Sequence, residues 1–145
     1  MRKRVLLVED HPDTSEVIRQ GLSFVGYDVL IAEDGSQAVG FAAHLLPDII
    51  IMDMHLPKMN GFDATKRIRE NPKTASIPIL AATAMTAAGD RDKCLAAGCN
   101  GYLAKPFTYK ELDQAMKKLL PPADPQKAAG PEPVETAAES DSERS

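Results

Sequence analysis

The chain is poor in several features that mark particular classes of protein. It has no Trp, and aromatic residues make up only 5% of its 145 residues. Two cysteines, Cys94 and Cys99, are too few for a disulfide framework and have no set of zinc-ligand partners near them. No apolar run approaches the about 20 residues that span a bilayer, and the basic start is too short for a signal peptide. We therefore predict a cytoplasmic protein without a membrane segment.

The excess of acidic over basic residues is confined to the C-terminal end of the chain. Residues 1–120 contain 15 basic and 15 acidic residues, so the net charge of −4 falls in residues 121–145. A segment without basic excess is not predicted to bind nucleic acid. Residues 121–145 contain no Leu, Ile, Phe or Tyr and are rich in Pro, Ala, Glu and Ser. We expect one folded domain over 1–120 and a disordered acidic tail over 121–145.

Short apolar segments alternate with helical patterns throughout the predicted domain. Strands are predicted at 3–8, 27–32, 48–53, 77–82 and 102–104. Helices are predicted at 13–25, 36–46, 62–70, 87–97 and 108–119. Regular alternation of this kind is typical of repeated βαβ units, and it predicts an α/β fold with a parallel five-stranded sheet and helices on both faces.

Two of these helices carry distinct end signals. Asp13 and Glu16 have the spacing of an N-cap residue and its third helical residue. In the last helix Thr108 and Glu111 form a predicted capping box, with a hydrophobic staple around it. The predicted core-facing stripes are Val17, Ile18, Leu22 and Val25 in the first helix, and Leu112, Ala115, Met116 and Leu119 in the last.

The segment 48–53 organises the rest of the chain. Its four consecutive apolar residues indicate a strand buried on both faces, as in a parallel sheet. The strand ends in Asp53, and Pro57 makes a longer central strand unfavourable. An acid in this position lies where open α/β sheets bind their ligands. On its own, Asp53 is explained equally well as a turn or cap residue.

Four predicted strands end in polar residues of complementary chemistry: Glu9 with Asp10, Asp53, Thr83 and Lys105. Carboxylates gathered at one edge repel each other unless one is protonated or a cation lies among them. Oxygen ligands favour Mg²⁺ over zinc. A carboxylate beside Mg²⁺ can attack a phosphoryl group, with an ammonium and a hydroxyl stabilising the phosphoryl oxygens. The chain has no Gly-rich phosphate loop, so a nucleotide site is not predicted.

Together these motifs resemble the receiver domain of bacterial two-component response regulators. The matching residues are Glu9-Asp10, Asp53 followed by Met54-His55-Leu56-Pro57-Lys58-Met59-Asn60-Gly61, Thr83-Ala84, and Lys105-Pro106-Phe107. The resemblance covers residues 4–120. It implies a flavodoxin-like, doubly wound (βα)5 fold with strand order 2-1-3-4-5 and the acids at the topological switch point.

The resemblance also implies a role for each site residue. Asp53 would accept the phosphoryl group. Mg²⁺ would be held by Asp10, Asp53 and the backbone carbonyl of His55, with Glu9 acting largely through water. Thr83, the Ala84 backbone and Lys105 would bind the phosphoryl group, and Tyr102 would be the aromatic switch residue. The structural positions are Pro57, Gly61 and Pro106, the last after a cis peptide bond.

The leading hypothesis is a single-domain response regulator, which is a signalling protein and not an enzyme. A histidine kinase or phosphotransfer protein would supply the phosphoryl group, and output would pass through protein contacts of the fourth helix, fifth strand and fifth helix. A haloacid-dehalogenase-like phosphatase is disfavoured because His55 occupies the position of its second acid. A receiver-like module that only binds partners is disfavoured because Asp53, Thr83 and Lys105 are all present.

Overall fold

The computed structural model describes residues 3–56, 58–84 and 90–120, and strands alternate with helices throughout these ranges. The strands are β1 (Arg4–Val8), β2 (Asp28–Ala32), β3 (Ile49–Asp53), β4 (Ile79–Thr83) and β5 (Gly101–Ala104). The helices are α1 (Pro12–Phe24), α2 (Gly35–Leu45), α3 (Gly61–Glu70), α4 (Asp90–Ala97) and α5 (Tyr109–Leu119). Apart from the start of α4, element bounds agree with the predicted ones within two residues.

The five strands form one parallel sheet in the order β2-β1-β3-β4-β5. This confirms the predicted α/β fold and its strand order. The central strand β3 is buried along its whole length. Because successive side chains of a strand point to opposite faces, its apolar run supplies both sides of the sheet at once.

Each face of the sheet has its own hydrophobic core. Ile50 and Met52 of β3 belong to a cluster that also contains residues of α2, α3 and α4. Ile49 and Ile51 belong to a second cluster that contains residues of α1 and α5. The helices therefore cover both faces, three on one side and two on the other. Burial of each such Ile side chain contributes about 1.5–3 kcal/mol to the free energy of unfolding.

The start of α1 differs from the prediction. The helix begins at Pro12 with His11 as its N-cap residue, so the prediction that Asp13 caps it is wrong. Proline is favoured at the first helical position, where its missing N–H group would have no intrahelical partner. Asp13 lies in the first turn instead, where its charge is favourable next to the positive end of the helix dipole.

The buried face of α1 is also narrower than predicted. Ile18 and Leu22 are buried, but Val17 is 70% exposed and Val25 is 40% exposed. Val17 lies one residue, or about 100° of rotation, away from Ile18, which turns it from the sheet. Val25 is the residue that ends the helix.

The predicted capping box and core-facing stripe of α5 are confirmed. The Thr108 hydroxyl accepts a hydrogen bond from the Glu111 N–H at 3.1 Å, and a Glu111 carboxylate oxygen accepts one from the Thr108 N–H at 2.8 Å. Leu112 and Met116 are fully buried in the core that α5 shares with α1.

Some predictions concern residues outside the described ranges. These are the structural role of Pro57, the start of the fourth helix before Asp90, and the disorder of the tail over 121–145. Within the described ranges, no helix has the length and apolarity needed to cross a membrane.

Candidate functional site

The carboxyl ends of β1, β3, β4 and β5 meet at one edge of the sheet. The register pairs Val8 of β1 with Met52 of β3. It also pairs Asp53 with Ala82, and Thr83 with Ala104. The polar residues that end these strands are therefore neighbours, as the sequence predicts.

One ammonium group links two buried carboxylates at this edge. Lys105 Nζ lies 2.6 Å from Glu9 Oε1 and 3.2 Å from Asp53 Oδ2. Glu9 is 2% exposed and Asp53 is 5% exposed. Two carboxylates so close together in a site of low dielectric would repel each other strongly without a cation between them. The Lys105 ammonium partly neutralises both.

Burial acts on the two acids with different results. Burial raises the pKa of Asp53 above its usual range, although the His55 N–H and the Lys105 charge favour its ionised form. Burial has the same tendency at Glu9, but hydrogen bonds from Lys105 and His11 outweigh it and lower the pKa of Glu9. The shorter contact with Lys105 is the one to Glu9. Of the two acids, Asp53 has the less stabilised negative charge, which favours reaction with an electrophile.

The loop after β3 holds Asp53 in place. The His55 N–H donates to Asp53 Oδ1 at 2.9 Å. The Gly61 N–H donates to the Met54 carbonyl at 3.2 Å, which brings the start of α3 against the end of β3. A side chain on Gly61 would collide with the Asp53 carbonyl oxygen, and its Cβ would lie 2.7 Å from Met54 Cα. Glycine at this position is therefore required for the loop to close.

Thr83 and Lys105 are joined through the backbone. Thr83 is completely buried at the end of β4, and its carbonyl accepts a hydrogen bond of 2.9 Å from the Lys105 N–H. Ala84 follows as an exposed residue, and Tyr102 of β5 is half-buried against the core on the α2–α4 side. The Lys105–Pro106 peptide bond is cis.

His11 is part of the site although the sequence analysis did not select it. Its Nδ1 lies 3.1 Å from Glu9 Oε2 and 3.3 Å from Asp10 Oδ1. The hydrogen bond to Glu9, followed by the charge of Asp10, raises the pKa of His11. The available signal was its position directly after the acid pair.

The acids fit a hard divalent cation. Asp10 Oδ1 is buried but receives no hydrogen bond from any described residue, so it has a lone pair ready for a ligand. Carboxylate oxygens are ligands that Mg²⁺ prefers. The donor atoms of Glu9, Asp10 and His11 lie within 4.8 Å of one another. Asp53 is outside this group, and one of its oxygens contacts Lys105 instead.

Two structural residues were also missed, Gly35 beside the site and Arg69 at the opposite, amino edge of the sheet. Gly35 begins α2 against the β3–α3 loop: its N–H donates to the Met59 carbonyl at 3.1 Å, and a side chain there would overlap that carbonyl. Arg69 of α3 donates hydrogen bonds to the carbonyls of Gly98, Ala75 and Ile77. Neither is recognisable from the sequence, since each depends on backbone atoms of distant segments.

Comparisons of the chain with known proteins identify the family to which it belongs. A model of the response regulator receiver domain matches residues 5–117. The DNA-binding dual master transcriptional regulator RpaA of Synechocystis is 37% identical over 117 residues, which are 81% of this chain and 48% of RpaA. The response regulator MprA of Mycolicibacterium vanbaalenii is 35% identical over 130 residues, 90% of this chain and 55% of MprA.

Solved structures that are similar to this chain belong to the same family. One is the receiver domain of a sensor histidine kinase from Pseudomonas aeruginosa, which has a magnesium ion in its active-site cleft. It is 42% identical to this chain with a TM-score of 0.77, and the match covers 82% of this chain and 98% of that domain. The chemotaxis response regulator CheY4 of Vibrio cholerae is 31% identical with a TM-score of 0.78, covering 83% and 100%. The chain therefore belongs to the response regulator receiver domain family, as its sequence motifs predict.

Membership places the chain among the receiver domains of two-component signalling, which are signalling domains and not conventional enzymes, and it favours this assignment over the phosphatase alternative. Receiver domains bind Mg²⁺ at their acidic site and work with histidine kinases or phosphotransfer proteins. The chain spans about half the length of the curated relatives it matches. Since RpaA is a DNA-binding regulator, the expectation that nucleic acid plays no part has no support from these relatives.

Proposed function

We propose that Asp53 is the phosphoacceptor of a two-component or phosphorelay system and receives its phosphoryl group from a histidine kinase or a histidine phosphotransfer protein. The observation that carries this proposal is the Lys105 ammonium, which links buried Asp53 to buried Glu9 at the carboxyl edge of a parallel sheet. This edge is where doubly wound folds bind their ligands.

In the proposed reaction an Asp53 carboxylate oxygen attacks the phosphorus of a phosphohistidine. The O–P bond forms, the N–P bond breaks, and the imidazole leaves. The His55 N–H holds Asp53 Oδ1, so the carboxylate is oriented before the donor arrives. Lys105 is near enough to Asp53 to stabilise charge on the transferred group.

Mg²⁺ is the proposed cofactor, held by Asp10, Asp53 and the His55 carbonyl, with Glu9 acting largely through water. When bound, it supplies positive charge to the phosphoryl oxygens. The unfilled lone pair of Asp10 Oδ1 supports this assignment.

Output is proposed to pass through the surface formed by α4, β5 and α5 to a protein partner. Thr83, the Ala84 backbone and Lys105 would bind the phosphoryl group, and Tyr102 would respond to it. Support comes from connectivity: the Thr83 carbonyl accepts a hydrogen bond from the Lys105 N–H. Because Lys105 directly follows β5, a shift at Thr83 reaches β5 without an intermediate. In this proposal residues 1–120 are the receiver and residues 121–145 are an appended acidic tail.

The acceptor chemistry is tested by intact-protein mass spectrometry after incubation with acetyl phosphate, with Mg²⁺ or with EDTA. We expect one Mg²⁺-dependent phosphoryl adduct in the wild-type chain and none in Asp53→Asn. Asp48→Asn is the matched control, because Asp48 immediately precedes the opposite end of the same strand and accepts a hydrogen bond from the Arg4 N–H. An adduct that persists in Asp53→Asn identifies another nucleophile and refutes the proposal.

The output surface is tested by amide NMR spectra of the same sample before and after phosphorylation. We expect shift changes at the site and along α4, β5 and α5, with α2 largely unaffected. Changes confined to the loops around Asp53 would contradict signalling through this surface.

A further inference from the structure

A pocket of about 200 Å³ opens between α2 and the amino ends of β1 and β2. Leu6 and Leu30 line it from the sheet, and Phe41 and Leu45 line it from the helix. Leu6 is the register partner of Leu30, and it belongs to the core on the α2 side of the sheet. The pocket is therefore an outward extension of that core, at the edge strand of the sheet.

The sequence of α2 explains why this space is left open. The α2 side chains that are completely buried in the core are those of Ala38 and Ala42. An alanine side chain is a single methyl group, so it does not fill the space at the edge of the sheet. As a result Leu30 is 41% exposed and Leu45 is 38% exposed, although both side chains are large and apolar. Uncovered apolar surface around a concave pocket is typical of ligand sites.

The size and the lining of the pocket define the class of ligand. An apolar cavity of about 150 Å³ lined by Leu, Ile and Phe is sufficient to bind benzene. A pocket of about 200 Å³ therefore has room for one ring or two fused rings. Phe41 offers a ring face or edge for contact with another aromatic ring. We propose that this pocket binds a neutral aromatic molecule of one or two rings, for which indole is a suitable probe.

The charges at the mouth of the pocket favour a neutral ligand. The Arg4 guanidinium donates a hydrogen bond to the Leu45 carbonyl, so its charge is directed at the end of α2. Asp28 also lines the pocket, and Asp48 accepts a hydrogen bond of 2.7 Å from the Arg4 N–H. One cation beside two carboxylates gives no net attraction for an anion. A cationic ligand would lose its hydration in the apolar interior of the pocket.

The pocket lies far from the phosphoacceptor site. Arg4 and Asp28, which line it, are the first residues of β1 and β2, whereas Asp53 is the last residue of β3. Because the strands are parallel, these residues are at opposite edges of the sheet. Binding in the pocket therefore does not depend on the proposed function.

The test is a methyl NMR titration of the full chain with indole. We expect saturable shift changes at the methyl groups of Leu6, Leu30 and Leu45, because an aromatic ring shifts the resonances of the groups it contacts. Leu112, in the core on the other face, should not respond. For a ligand of this size we expect a Kd of about 0.1–1 mM. Benzoate, which is anionic at pH 7, should bind about tenfold more weakly or less.

Leu30→Trp is the variant that should close the pocket. Leu30 is partly exposed in an edge strand, where aromatic residues are favoured, so the larger side chain can be accommodated. It should weaken indole by about tenfold or more, because side chain and ligand cannot occupy the same space. Phe24→Trp, at an 83% exposed position at the end of α1, is the matched control and should bind indole as the wild type does.

Asp53→Asn separates this inference from the proposed function, since it should lose phosphorylation but bind indole with unchanged affinity. Absence of saturable shifts at the pocket methyl groups of the wild type would overturn the proposal, and so would tighter binding of benzoate than of indole. Unchanged indole affinity in a folded Leu30→Trp variant would place the ligand elsewhere. If that variant does not fold, the wild-type titration decides. None of these results bears on the acceptor chemistry of Asp53.

Discussion

Replacement of Lys105 by Met tests whether an ion pair stabilises the site. Met keeps a flexible apolar stem but lacks the ammonium that lies 2.6 Å from Glu9 and 3.2 Å from Asp53. Both carboxylates remain in their buried positions after the change. The variant therefore leaves two acids facing each other without a cation, in a part of the protein that water reaches poorly.

The expected cost follows from the burial of the three groups. Breaking a fully buried ion pair by removal of one partner costs about 3–5 kcal/mol. The Lys105 side chain is 23% exposed, and solvent at such a position weakens the pair. We therefore expect Lys105→Met to lower the free energy of unfolding by about 2–3 kcal/mol at pH 7 without divalent ions.

The pH dependence distinguishes charge from packing. In the wild type the pKa of Glu9 is lowered, because hydrogen bonds from Lys105 and His11 outweigh its burial. Ionised Glu9 therefore stabilises the fold above its ordinary pKa of 4.5, and this contribution is lost as the pH falls through the lower folded-state value. Without Lys105, burial dominates and the pKa of Glu9 rises. Protonation of Glu9 at low pH therefore reduces the destabilisation of the variant. The two proteins differ in their free energy of unfolding, and this gap narrows by about 1.4 kcal/mol for each pH unit between the Glu9 pKa of the folded variant and that of the folded wild type.

The assay is urea unfolding at pH 7 and pH 4 in EDTA. Unfolding is monitored by far-ultraviolet circular dichroism, because the chain has no Trp whose fluorescence could report it. The gap between wild type and Lys105→Met should fall below about 1 kcal/mol at pH 4. Lys110→Met, at an exposed position in α5, controls for loss of a surface charge. A gap independent of pH, or an equal effect of Lys110→Met, would refute the ion-pair reasoning.

Three further changes probe the scaffold of the site by the same unfolding assay. Tyr27→Phe removes a hydrogen bond of 2.6 Å to Asp113 and should cost about 1–2 kcal/mol, whereas no loss would mean that water replaces the hydroxyl. Gly61→Ala forces a Cβ into the backbone at the end of β3 and should cost about 1–3 kcal/mol and slow phosphorylation. Its control is Gly40→Ala in α2, where a Cβ meets nothing within 4 Å and should stabilise by about 0.5–1 kcal/mol. Thr108→Ala removes the capping box and should cost about 1 kcal/mol, and an unchanged midpoint would contradict that role.

Sequence patterns were sufficient for the architecture because they reflect local periodicity. The apolar run 49–52 predicts a strand buried on both faces, and β3 supplies both hydrophobic cores. The capping box at Thr108 lies within a few residues of chain, so it too is predictable. Motif spacing also identified the acids, the Thr and the Lys that meet at one edge, because parallel strands must direct their carboxyl ends the same way.

Patterns failed where two local signals competed, and where tertiary packing distinguished between residues of similar apolarity. Asp13 has the spacing of an N-cap residue, but Pro12 at the first helical position makes His11 the cap instead. Val17 is as apolar as Ile18, yet only Ile18 faces the sheet. The direction in which α1 packs on the sheet decides between them, and no property of either residue alone contains that information.

The chain by itself determined its parallel sheet, its two-sided core and the set of residues at the carboxyl edge, because each depends on composition and short-range spacing. Tertiary structure alone decided how those residues contact one another. Lys105 is 96 positions from Glu9 and 52 from Asp53, yet one ammonium contacts both. Side-chain direction and burial set these contacts and the pKa shifts that follow from them, and both arise only when the sheet and its loops have packed.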